Sequence, residues 1–127
     1  MADKCVVDAQ QIDVTDSNGV VATTTQMTGT ATIYVPLKML KTITDCAIEL
    51  VWTGTPTGTF TVEATIASGL YSSTNWTDLG VTVGNPAGSA DSSIISFTNL
   101  QFPYVRVKYV NASGSGTLTA YQHAKGG

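Results

Sequence analysis

Residues 60–66 read "FTVEATI": Phe60, Val62, Ala64 and Ile66 alternate one for one with Thr61, Glu63 and Thr65. An extended strand sends successive side chains to opposite faces, so a period of two builds one apolar and one polar face. A helix would scatter the same residues around its circumference. This short stretch therefore commits its part of the chain to a half-buried strand, and no other feature constrains the fold as tightly.

The same period recurs. Ala31, Ile33 and Val35 alternate with Thr30, Thr32 and Tyr34, and Ile48, Leu50 and Trp52 alternate with Ala47, Glu49 and Val51. Val105, Val107 and Tyr109 alternate with Arg106 and Lys108; Ile94, Ile95 and Phe97 mark a shorter strand, and Leu118 and Ala120 mark the last. Trp52, continuing the face of Ile48 and Leu50, is expected in the core. Charged residues make up 12% of the chain, about half the usual fraction of roughly 25%. The threonines beside the apolar positions favour pleated structure, where stiff β-branched side chains pack well.

Turn residues punctuate these runs at Asn18-Gly19, at "TGTPTG" (53–58), at "GNPAGSADS" (84–92) and at "NASGSG" (111–116). Small residues between two alternating runs predict hairpins, pairing 46–52 with 59–66 and 104–110 with 117–122. "VPLKMLKT", residues 35–42, allows at most one short helical turn, with Pro36 at its first position. The expected fold is all-β, an antiparallel two-sheet β-sandwich of jelly-roll or immunoglobulin-like type with about seven to eight strands. The whole chain, 1–127, reads as one domain. Residues 1–29 show little alternation and read as a candidate N-terminal arm that orders on assembly.

Few function classes survive the composition. The net charge is −3, and six Lys and Arg are spread along the chain, so no basic footprint for nucleic acid is present. The longest apolar stretch, "CAIELVW", is far below the roughly 20 residues that cross a bilayer, and no membrane association is expected. The start, "MADKCVVDAQQIDV", has no apolar signal core, which predicts synthesis in the cytoplasm. Cys5 and Cys46 stand alone in sequence and read as buried thiols, with a disulfide as the alternative.

No catalytic constellation is evident, and no enzyme activity or cofactor is expected. His123 is the single histidine and is read as an exposed residue of the tail. "DVTDSNG" (13–19) places Asp16 and Asn18 like two ligands of a calcium loop, but Val14 and Thr25 occupy two critical ligand positions, so a plain Asn-Gly turn is expected and no metal. Glu49 and Glu63, on strands expected to be neighbours, read as solvated carboxylates rather than a glycosidase pair. "GSG" in the 111–116 loop has no helix after it to cradle phosphate. "YSSTNWTDLG" (71–80) is open to two readings: Trp76 and Leu79 close one end of the core, or Tyr71, Asn75 and Trp76 form an aromatic and amide surface able to stack on a sugar. Arg106 and Lys108 are expected on the outward face of their strand, as candidate partner contacts that keep that face from pairing wrongly or meet an acidic neighbour.

Three stretches taken together, "IELVWTGTPTGTFTVEATI", "NWTDLG" and "FPYVRVKYVNASGSGTLTAY", resemble small β-sandwich structural proteins of tailed bacteriophages across residues 46–122. The shared pattern is a strand ending in Trp, a Thr/Gly turn, a second strand, an N-W-x-x-L segment, and an aromatic-Pro-aromatic lead into "VRVKY" and a Gly/Ser-rich turn. This chain carries "ASGLYSST" where a short turn before "NW" is usual. The resemblance implies a virion protein of the capsid-decoration or head-fibre type. Its partners would be the major capsid protein or other virion proteins, it would be a homo-oligomer, and it would be made in the host cytoplasm and located in the virion. "NWTDLG" is also similar to discoidin-like carbohydrate-binding sandwiches, which implies the alternative of a receptor- or carbohydrate-binding module on a tail or head fibre.

Overall fold

The computed structural model describes residues 6–15, 21–22, 24–29, 32–37, 43–65, 76–98 and 104–126. Eleven strands lie among them: β1 (Val6–Ile12), β2 (Val14–Thr15), β3 (Val21–Ala22), β4 (Thr24–Thr28), β5 (Thr32–Pro36), β6 (Ile43–Trp52), β7 (Thr57–Thr65), β8 (Thr77–Asp78), β9 (Asp91–Phe97), β10 (Tyr104–Ser113) and β11 (Ser115–Gly126). Eight of these are five residues or longer, while β2, β3 and β8 have two residues each. One sheet runs β1-β11-β6-β9, with β4 also on β11; the other runs β3-β2-β5-β10-β7-β8. All pairings are antiparallel. The expected two-sheet β-sandwich is the fold.

Alternation decides which side chains meet between the sheets. Ile48, Leu50 and Trp52 from β6, with Leu118 and Ala120 from β11, face Phe60, Val62 and Ala64 from β7, Val105, Val107 and Tyr109 from β10, and Ile33 and Val35 from β5; all are buried. Trp52, Phe60 and Tyr109 form an aromatic row through this core, with ring centroids 5.6 and 4.9 Å apart. Their polar atoms are paired. The Trp52 Nε1 donates to the Ser89 carbonyl at 2.9 Å, and the Tyr109 hydroxyl donates to Asn111 Oδ1 at 2.8 Å. Asn111 Nδ2 in turn donates to the Gly29 carbonyl at 2.9 Å. Leaving such a buried group unpaired would cost about 1–3 kcal/mol.

The two predicted hairpins are corrected by the pairing. β6 pairs with β11 and β9, and β7 pairs with β10 and β8, so 46–52 and 59–66 do not pair with each other. Nor do β10 and β11, which lie in different sheets. "TGTPTG" and "NASGSG" reverse the chain across the sandwich, from one sheet to the other, rather than within a sheet. Turn residues specify a reversal, but both kinds of reversal keep the same inward period, so the plane of the turn is not encoded in the alternation.

The two crossovers lie against each other. The Thr53 N–H donates to the Thr117 carbonyl at 3.0 Å and the Thr55 N–H to the Ser115 carbonyl at 2.8 Å, extending the β6–β11 ladder past Trp52. Gly54 and Gly114 have φ of 78° and 73°, and a Cβ on either would run into the backbone of the facing crossover. Glycine is required there by conformation and by space.

The early chain is built into both sheets, where the sequence suggested an arm for residues 1–29. β1 and β4 pair with β11, and β2 pairs with β5. Ile12, Val14 and Met27 are fully buried in the common core. The alternation here is short and broken by polar residues, which hid the strands. β2 and β3 pair antiparallel around the Asn18-Gly19 position, although residues 16–20 themselves lie outside the described residues. Pro36 ends β5 opposite Arg106 rather than opening a helical turn, and 38–42 lie outside the described residues.

Candidate functional site

The chemistry-bearing side chains gather on the outer face of the six-stranded sheet. With Val105, Val107 and Tyr109 turned inward, Arg106 and Lys108 of β10 point outward as expected. Arg106 does not reach solvent as a free charge. Its Nε donates to Glu63 Oε1 on β7 at 2.9 Å, and the two side chains are only 15% and 13% exposed. Its Cζ lies 4.2 Å from the centroid of the Tyr34 ring and 4.0 Å from that of Trp76. The guanidinium carbon thus lies over two aromatic rings at once. Each contact of this kind contributes about 0.5–2 kcal/mol, more as the site is desolvated.

The strand order explains the convergence. β5, carrying Tyr34, and β7, carrying Glu63, flank β10, and Glu63 is the register partner of Arg106. Trp76 arrives from beyond β7. Thr77 and Asp78 pair with Ala64 and Glu63, and the Leu79 N–H donates to the Val62 carbonyl at 2.9 Å. Asp78 Oδ1 then accepts the Gly80 N–H at 2.7 Å, closing a tight turn around Gly80, whose φ is 70°. Leu79 packs against the core, but Trp76 lies on the outer face over Arg106. The expectation that both close the core therefore holds for Leu79 and is corrected for Trp76, because Thr77 and Asp78 form a short edge strand, β8, and the chain turns inward only after it. The Trp76 Nε1 is buried without a hydrogen-bond partner among the described residues.

Tyr71 and Asn75 lie outside the described residues. Glu49 and Glu63 sit in different sheets, which corrects their expected adjacency, and Glu63 is paired rather than solvated. His123 is exposed, but it stands within β11 opposite Ala47 rather than beyond the last strand. Cys46 is a buried free thiol on β6; burial, and then the neighbouring Asp45, pushes its pKa up to about 11. Cys5 lies outside the described residues, as does most of "DVTDSNG". Among the described residues no group of three or more His, Cys, Asp or Glu could hold a metal ion, and no helix is long and apolar enough to cross a membrane.

The outer face of the five-stranded sheet is built differently. Asp45, Ala47, Glu49 and Val51 of β6, Thr117, Thr119, Tyr121 and His123 of β11, and Ser92, Ile94 and Ser96 of β9 point outward. Ile94 is 65% exposed and Tyr121 38%. Both are register partners of Glu49, which lies between them. No motif marked this face; the signal was Ile94 beside Ile95, where the period of two leaves one isoleucine outside.

The sequence matches no family model and no curated protein. Among solved structures it is similar to part of the N-terminal xylanase 10B of Clostridium thermocellum, a crystal structure of CBM22-1 and GH10 modules complexed with xylohexaose. The match has 10% identity and a TM-score of 0.52, covering 98% of this chain and 26% of that one. This chain spans about a quarter of the protein it matches, and the likeness is one of fold.

Proposed function

We propose that this chain is a non-enzymatic structural protein of a tailed-phage virion, acting by surface contact as a decoration protein of the capsid. The observation that carries the reading is that the segments bearing the phage resemblance form one physical unit. Trp76 of "NWTDLG" covers Arg106 of "VRVKY", and the Thr/Gly and Gly/Ser turns of the same pattern are hydrogen-bonded side by side. A pattern whose members brace one another is a scaffold pattern, and many copies on a symmetric shell add their weak contacts. Capsids stripped of the protein and then rebound should show saturable binding and a higher melting temperature. Absence of both sinks the decoration role.

A second reading is favoured by the outer face of the six-stranded sheet. Tyr34, Trp76, Arg106, Glu63 and Lys108 combine aromatic rings with hydrogen-bonding groups, the composition that receives sugars. The sandwich likeness to a chain that contains a CBM22 module supports it at the level of fold. In this reading the protein is a receptor- or carbohydrate-binding module of a tail or head fibre. Binding on a glycan array, lost in Trp76→Ala with the fold retained, is the expected result. No glycan binding at millimolar concentration would remove this reading.

A further inference from the structure

The outer face of the five-stranded sheet is exposed, apolar at two points and acidic between them, and it lies on the opposite side of the sandwich from the Arg106 cluster. We infer that this face is the capsid-binding surface, with Ile94 and Tyr121 as apolar anchors and Glu49 as the recognition charge for a Lys or Arg of the shell protein. The inference rests on the decoration reading and names the surface that carries it out.

Glu49 stands in register between Tyr121 and Ile94. It is half-buried between them and makes no ion pair among the described residues. A carboxylate in that position disfavours a bare apolar partner, which would desolvate it without compensation, and favours one that supplies a cation. It also argues against a second copy of this chain. Two copies related by a twofold axis through the middle of the row would set Glu49 against Glu49, and like charges in a closing interface are costly.

The size of the face points the same way. Four strands about 4.8 Å apart and seven residues long at about 3.3 Å per residue cover roughly 440 Å². Buried against a partner, that gives roughly 900 Å² in total, below the usual range of about 1,200–2,000 Å² for a stable pair of free proteins. A surface of that size suits a contact repeated over a large assembly, where many weak attachments act together. Ser92, Ser96 and Thr119 around the anchors are small and polar, and the carboxylates on this face, Asp45 and Glu49, are both acidic, which fits a broad protein surface of opposite charge rather than a pocket ligand.

The test uses the intact protein and stripped capsids, with binding read by co-sedimentation and folding checked by circular dichroism. Ile94→Ser should weaken binding by about tenfold or more, because a mostly exposed isoleucine loses only its interface burial. Glu49→Lys should weaken it by about a hundredfold through like-charge repulsion, while Thr59→Glu, on the exposed outer side of β7 and so on the opposite face, should leave it within about twofold. If wild type binds and both Ile94→Ser and Glu49→Lys bind equally well, this face is not the capsid surface although the decoration role stands. If Thr59→Glu alone abolishes binding, the opposite sheet is the contact and the inference falls. A wild-type dimer in sedimentation analysis that Ile94→Ser disperses would make a second copy the occupant, and would overturn it. Failure of wild type to bind removes the decoration reading and this inference with it.

Discussion

The two outer faces of this sandwich use the same pleated geometry to opposite ends. On the six-stranded sheet the Arg106 charge is satisfied internally, covered by Tyr34 and Trp76 and tied to Glu63, whereas Lys108 makes no ion pair among the described residues and Val110 is exposed. On the five-stranded sheet Glu49 has no ion-pair partner among the described residues, and the large side chains beside it, Ile94 and Tyr121, stay exposed. The Arg106 cluster has used its interaction capacity to hold its own edge segment in place, while the Glu49 region retains it. A cluster rich in aromatic rings and charge is therefore a poor guide to a binding surface until its partners have been counted.

If that contrast is right, the largest stability effect should come from Arg106. Arg106→Ala leaves Glu63 half-buried without its cation and uncovers two aromatic rings, so a loss of about 2–4 kcal/mol is expected. Urea denaturation reads it directly as a lower midpoint with little change in slope. Arg106→Lys should recover only part of the loss, because an ammonium lacks the planar group that two rings can cover. A loss below about 0.5 kcal/mol would mean the cluster is solvated surface, and the comparison of faces would fail. Trp76→Ala should cost less, about 1 kcal/mol, because removing the indole also removes its unpaired buried N–H.

The inner side of the five-stranded sheet provides a pH probe. Burial raises the Cys46 thiol from its ordinary 9.0 to about 11. Between those values the unfolded chain gives up a proton that the folded chain keeps. The stabilisation is thus fully present below about pH 9 and is lost as pH rises toward 11, by up to about 2 kcal/mol. Burial raises the Tyr109 hydroxyl in the same direction, so the difference between wild type and Cys46→Ala isolates the thiol. The variant should show a shallower alkaline decline in urea midpoint. Parallel declines would mean that Cys46 meets water more freely than its position on β6 implies.

The contrast between faces was only partly legible in the sequence. Period two correctly placed Ile48, Leu50, Trp52, Phe60, Val62, Val105, Val107 and Tyr109 inward, because a strand flips every side chain if shifted by one residue. It also placed Arg106 and Lys108 outward. It did not say which strands are neighbours. Sheet membership depends on whether a Gly-rich turn reverses the chain within a sheet or across the sandwich, and the hydrogen bonds between the two crossovers join residues 53–55 to 115–117. Trp76 was ambiguous for a related reason: its position on the outer face depends on the β8 pairing with β7, which the alternation does not specify. Val14 was hidden because β2 has only two residues, and Met27 because it is the single apolar residue among the polar ones of β4.

The smallest expected stability effect carries the sharpest form of the comparison. Ile94→Ser and Glu49→Lys both alter a face that the fold does not use, so each should change the unfolding free energy by less than about 0.5 kcal/mol. Ile94 is already 65% exposed, and Ile95 and Phe97 supply the buried contacts of β9. Glu49→Lys adds no buried charge, because the long lysine stem can lie along Tyr121 with its ammonium in water. Near-neutral stability, set beside the large loss from Arg106→Ala, would establish that one face is structural and the other free to engage a partner. A loss above about 1.5 kcal/mol from Ile94→Ser would instead mean that Ile94 is held by the protein itself, and the two faces would then be alike.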